Sequence, residues 1–159
     1  MADKEKVSVK LGISGTYWDK KPQYCVYCND TIILEGEITA PSGEIEYHKF
    51  DFEYDTDLVD LKIQFLNKTN EDTKKDNYED PENYTIVGDL LLNIESLEID
   101  EIELDTNLLF STSKYTTDVE VDRDGIMTRD VRNCLNLGWN GVWSIQWSNP
   151  FYIWLLENI

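Results

Sequence analysis

The chain has 159 residues, 41% hydrophobic and 12% aromatic, with 32 acidic against 14 basic side chains and a net charge of −18. At this length one domain buries roughly 68–70% of its unfolded surface, so size alone demands no metal or disulfide. Such an acidic surface repels phosphate, which excludes nucleic acid and anionic membranes and leaves divalent cations, basic proteins or neutral ligands as partners. Met1 is followed by the charged run Ala2-Asp3-Lys4-Glu5-Lys6 rather than an apolar leader, so the expectation is a protein made in the cytoplasm without a signal peptide. No apolar run reaches the length of a membrane span. The three cysteines, Cys25, Cys28 and Cys134, are an odd number and are expected to be reduced thiols.

In chain order, Val7, Val9, Leu11 and Ile13 alternate with polar or small residues and predict a first strand. A loop follows with the adjacent aromatics Tyr17 and Trp18. Tyr24 to Cys28 predicts a second strand, and Asn29-Asp30 signals a tight turn into a hairpin partner at Thr31–Leu34. Glu44–Tyr54 reads as a strand with one slip. Leu58–Leu66 and Asp89–Leu104 are the most regular runs, flanking an acidic loop from Asn67 to Asn83. In the second run, Leu90, Leu92 and Ile94 share a face, as do Leu97 and Ile99, then Ile102 and Leu104. Slips after Ile94 and after Ile99 predict a bulge, bend or short turn. Residues 105–136 are mostly polar apart from Leu108-Leu109-Phe110, and are expected to form an excursion that reaches a neighbour. Trp143, Ile145 and Trp147 alternate after an Asn140-Gly141 turn. Four of the five tryptophans fall between Trp139 and Trp154, and the apolar Phe151–Ile159 demands a docking surface.

Eight to ten short strands with turn chemistry between them predict an all-β fold: a single β-sandwich, jelly-roll-like, with a C-terminal extension. Residues 1–104 form the sandwich and 105–159 the excursion and Trp-rich segment. The stretches Val26–Ile32, Leu61–Asn67 and Asp89–Leu97, with the strands between them, resemble the small calcium-dependent carbohydrate-binding modules of the xylan-binding type. That resemblance implies a jelly-roll sandwich, a glycan ligand and calcium as cofactor. The family pattern is Phe-x-Asn-Asp with a calcium-holding Asp, where this chain has Phe65-Leu66-Asn67-Lys68. Modules of this type also serve as building blocks in virion proteins of tailed bacteriophages.

Three constellations could carry chemistry. Carboxylates suit calcium, which takes six to eight oxygens, and Asp72, Asp76, Asp89 and Glu95 are the candidate ligands. Tyr17 and Trp18 offer flat faces for stacking on a sugar ring. Trp139, Trp143, Trp147, Phe151 and Trp154 are the candidate assembly interface. Cys25-Val26-Tyr27-Cys28 lies on a strand rather than at a helix N-terminus, and reads as two core cysteines. His48 is the only histidine and has no nucleophile motif beside it, so no catalytic site is expected. The expected function is that of a non-catalytic structural protein in the virion of a tailed phage, contacting other virion proteins in multiple copies. The alternative is a carbohydrate-binding adhesin that grips a surface glycan.

Overall fold

The computed structural model describes residues 5–76 and 85–159. Two antiparallel sheets enclose one core. The first sheet is ordered β12 (Asn136–Leu137), β8 (Leu91–Ile99), β1 (Glu5–Thr16) and β4 (Ile45–Tyr54), with β9 (Ile102–Glu103) also paired to β8. The second is ordered β11 (Ile126–Arg132), β10 (Lys114–Arg123), β13 (Gly141–Ser148), β5 (Leu58–Phe65), β2 (Gln23–Cys28) and β3 (Thr31–Glu37). A small hairpin, β6 (Lys74–Asp76) with β7 (Thr85–Gly88), stands apart from both. The fold is an all-β sandwich, as the alternating pattern predicts.

Side-chain period builds the core. Val7, Val9, Leu11 and Ile13 of β1 and Leu92, Ile94, Leu97 and Ile99 of β8 face Val59, Leu61, Ile63 and Phe65 of β5 and the inner residues of β2 and β13. The slip after Ile94 is a bulge: Gly12 pairs with Ser96 and Ile13 with Ile94, leaving Glu95 as the extra residue. The slip after Ile99 is a tight turn at Asp100 and Glu101, both left-handed with φ of 50° and 68°. Asn29 and Asp30 adopt the same conformation between β2 and β3, as their residue types favour.

Three expectations are corrected. The strand Glu44–Tyr54 carries no slip, since β4 pairs with β1 without interruption. Its second apolar face exists because Tyr47 lies across Gly12 on the outer surface, where a Cβ on Gly12 would meet the Tyr47 ring at 3.0 Å. The boundary at residue 104 is not a break in the fold: β10, β11 and β13 make half of the six-stranded sheet, and β13 lies between β10 and β5. The supposed arm begins as α1 (Thr106–Thr112), which buries Leu108 and Leu109 and is capped by Asp105, whose carboxylate accepts from the Asn107 N–H at 2.9 Å. The C-terminal segment is likewise a helix, α2 (Phe151–Asn158). Among the described residues, no helix is long and apolar enough to cross a membrane.

The tryptophans divide sharply. Trp143 and Trp147, expected at an assembly interface, have 0% exposure and fill the core, because inward positions of a central strand have no other destination. Phe151 is buried too, set edge-on against Trp147 and stacked on a half-buried Trp154 at 5.8 Å between centroids. Beyond it Tyr152, Ile153, Leu156 and Ile159 are exposed. Cys25 and Cys28 are buried free thiols on β2, and burial pushes the Cys28 thiol up to about 12, far from the thiolate that chemistry needs.

Candidate functional site

The candidate calcium ligands do not converge, and Asp72, Asp89 and Glu95 already serve local roles. Asp72 closes the short 3-10 turn Asn70–Asp72: its Oδ2 accepts from the Thr69 N–H at 2.6 Å and pairs with the Lys20 ammonium at 2.8 Å. Burial opposes ionisation of this carboxyl, but Lys20 and Thr69 outweigh it and hold it below the usual carboxylate range. Glu95, on the β8 bulge, accepts a hydrogen bond from the Ser14 hydroxyl at 2.6 Å. Asp76 is exposed at the end of β6. Among the described residues no three Asp, Glu, His or Cys side chains gather where an ion could be held. The remaining acidic and amide groups of the loop, Asn77, Glu79 and Asp80, lie outside the described residues.

Asp89 meets a cation already in the chain. The Lys68 ammonium contacts Asp89 Oδ1 and donates to the Leu90 carbonyl at 2.8 Å. The same Oδ1 accepts from the Thr73 hydroxyl at 2.9 Å and the Leu90 N–H at 2.8 Å. The Lys68 side chain is only 10% exposed, and a lysine this enclosed needs a partner of opposite charge. Its backbone is fixed as well: Asn140 accepts from the Lys68 N–H at 2.7 Å and donates to the Lys68 carbonyl at 3.0 Å. The preceding Asn67 ties Lys21 to Gln23, donating to one backbone and accepting from the other. Two unit charges 4 Å apart repel by about 4 kcal/mol at an effective dielectric near 20, so a dication beside this ammonium meets roughly twice that. The residues at Asp89 therefore do not fit calcium.

The same lysine lines a groove of about 1090 Å³. One wall is the β6–β7 hairpin with the turn before it, which presents Asn70, Lys75 and Ile86; the other carries Phe110 of α1 and Trp139. Phe110 is 43% exposed and Trp139 37%. Trp139 stands in a loop pinned from beneath: the buried Tyr115 hydroxyl donates to its carbonyl and accepts from its N–H. Trp139 therefore lines this concave surface from a rigid backbone, together with a second exposed ring, Phe110, and the polar side chains of Asn70, Lys68 and Lys75. That is the composition of sites that bind small, hydroxylated ligands.

Neither Tyr17 nor Trp18 lines this groove. The Tyr17 hydroxyl donates to the Ala40 carbonyl at 3.0 Å, so its polar end is committed to the fold. The Trp18 indole donates to the Asp72 carbonyl at 2.8 Å, lies against Gly88, and carries the Lys74 ammonium 5.3 Å from its ring centroid. Trp18 thus props the hairpin while leaving 48% of its surface exposed. His48 accepts or donates between Glu46, at 2.7 Å, and the Tyr24 hydroxyl, at 3.2 Å, near one edge of the sandwich. Sequence reasoning missed Phe110 and the pairing of Lys68 with Asp89.

A similar all-β sandwich is found in solved structures of carbohydrate-binding modules. A matching solved structure is described as vCBM60 in complex with galactobiose; it superposes with a TM-score of 0.51 at 11% identity, covering 87% of this chain and 96% of that one. A second is the selenomethionine form of vCBM60, from a study of circular permutation linking two families of calcium-dependent carbohydrate binding modules, with a TM-score of 0.49, 11% identity, and coverage of 87% and 89%. No family model and no curated protein matches the chain. At such identity the likeness is one of fold.

Proposed function

We propose that this chain is a non-catalytic carbohydrate-binding module whose ligand lies in the groove between the β6–β7 hairpin and the Trp139 loop. The observation that carries the reading is Trp139, a part-exposed ring held through its own backbone at a groove lined by both aromatic and polar side chains. Sugar rings present apolar faces edged by hydroxyls, and a fixed aromatic beside amides and a lysine complements both features. The galactobiose-bound structure of like fold makes neutral saccharides the first probes. Trp139→Ala is expected to weaken binding at least tenfold, about 1.4 kcal/mol, in titration calorimetry against galactobiose and a neutral-glycan panel. Its melting temperature should hardly move, because Tyr115 bonds the backbone rather than the ring. Undiminished binding by this variant would remove the groove from consideration and return attention to Trp18.

A second reading, assembly into a virion, is favoured by the exposed row Tyr152, Ile153, Leu156 and Ile159 at the C-terminal end. It predicts a multimer in light scattering that Leu156→Asp converts to monomer. A wild-type chain that stays monomeric at high concentration contradicts it.

A further inference from the structure

We propose that the Lys68 ammonium is a built-in cation: it ties Asp89 to the loop in place of a metal ion and offers a hydrogen-bond donor to a neutral ligand in the groove. An ammonium carries three donors. Two are accounted for, by Asp89 and by the Leu90 carbonyl. Lys68 lines the groove, which puts a ligand there beside this side chain and its third N–H. The pairing with Asp89 leaves this part of the site without net charge, while the chain as a whole carries −18. A neutral hydroxyl group therefore suits a donor whose charge is already matched in this way. Asn140 holds the lysine backbone through both its N–H and its carbonyl, and the neighbouring Asn67 is itself anchored to Lys21 and Gln23, so the cation is preorganised rather than recruited from solvent.

The ligand-donor half of this proposal rests on the groove reading above; the cation half does not, and one experiment separates them. The melting temperature of the full chain is measured in millimolar calcium, in magnesium at matched ionic strength, and in chelator, for wild type, Lys68→Met and Lys68→Asp. Wild type should melt within about 1 °C in all three conditions. Lys68→Met should melt lower in every buffer, since Asp89 loses its partner, and Lys68→Asp should gain a rise specific to calcium. A calcium-specific rise of about 5 °C or more in wild type overturns the proposal, because ligand linkage of that size requires an occupied ion site. Binding to galactobiose and the neutral panel is then repeated with chelator. Unchanged affinity for wild type, with at least a tenfold loss in Lys68→Met, is the expected result. Binding abolished by chelator overturns the cation role, as does full affinity in Lys68→Met for the donor role. If no saccharide binds, the groove reading and the donor role fall together, and the melting data alone decide the cation role.

Discussion

Truncating Trp143 or Trp147 to alanine will cost about 3–5 kcal/mol of folding stability, the range seen when a large buried aromatic is removed. Both side chains are fully enclosed on β13, where Trp143 pairs across to Tyr115 and Ile63, and Trp147 to Val59. Phe151 closes over Trp147 from α2, so that cavity would open beneath the C-terminal helix as well. Urea denaturation should show a lower midpoint with an unchanged slope. Phenylalanine at either position should cost clearly less than alanine. Neither indole N–H has a hydrogen-bond partner among the described residues, and an unpaired buried donor is itself destabilising by about 1–3 kcal/mol. Phenylalanine discards that donor and keeps most of the ring. If these two tryptophans instead formed an assembly surface, alanine would leave the monomer as stable as wild type, and a loss below about 1 kcal/mol would support that view.

The divided behaviour of the tryptophans shows what a sequence pattern can and cannot carry. Alternation of Trp143, Ile145 and Trp147 specifies a strand with one buried face, and that is what forms. It does not say whether the opposing layer belongs to the same chain. Here it does, because the core that receives these side chains also takes the inner residues of β1 and β8 from the other sheet. Within its own sheet β13 is flanked by β5 and β10, through pairings that span about 80 and 30 residues of sequence. The helices were hidden for a different reason. Leu108-Leu109-Phe110 is too short an apolar run to show a 3.6-residue period, and only Asp105 as a capping residue marked the start of α1. In β10 the buried face includes Thr117, whose hydroxyl donates to the Val119 carbonyl at 2.6 Å, so the expected alternation is broken by a polar residue that the fold satisfies internally. The turns at Asn29-Asp30 and after Ile99 and the bulge at Glu95 were legible, since residue type and phase shift both report on local backbone geometry. The groove was not. Its members Lys68, Phe110 and Trp139 come from three separate segments, and no local motif relates them. The departure at Lys68 was visible as a residue type, but its consequence depends on Asp89 and Leu90 being within reach of the ammonium.

Gly141→Ala should be among the most damaging single-methyl additions in the chain, costing about 3 kcal/mol, the upper part of the range for overpacking. The glycine pairs with Thr117 of β10 on one side and Phe65 of β5 on the other. A Cβ there would lie 2.7 Å from the Thr117 Cα and 3.0 Å from the Thr116 carbonyl carbon, closer than real Cβ contacts allow. Both obstacles are backbone, so no side-chain rotation relieves them, and the β10–β13 ladder itself must open. The damage should spread to the groove, because Asn140 immediately precedes Gly141: its carbonyl accepts from the Asp118 N–H at 2.8 Å, and its side chain clamps Lys68. Loss of saccharide affinity should therefore accompany loss of stability, unlike Trp139→Ala, where affinity falls alone. Gly36→Ala on the edge strand β3 is the control. Nothing lies within 4 Å of its would-be Cβ, and replacing a strand glycine by alanine typically gains about 0.5–1 kcal/mol. Parallel urea titrations of the two variants measure the contrast directly. If Gly141→Ala unfolded within about 0.5 kcal/mol of wild type, β10 and β13 could not approach as closely as this sheet requires, and the anchoring of the Trp139 loop would have to be sought elsewhere.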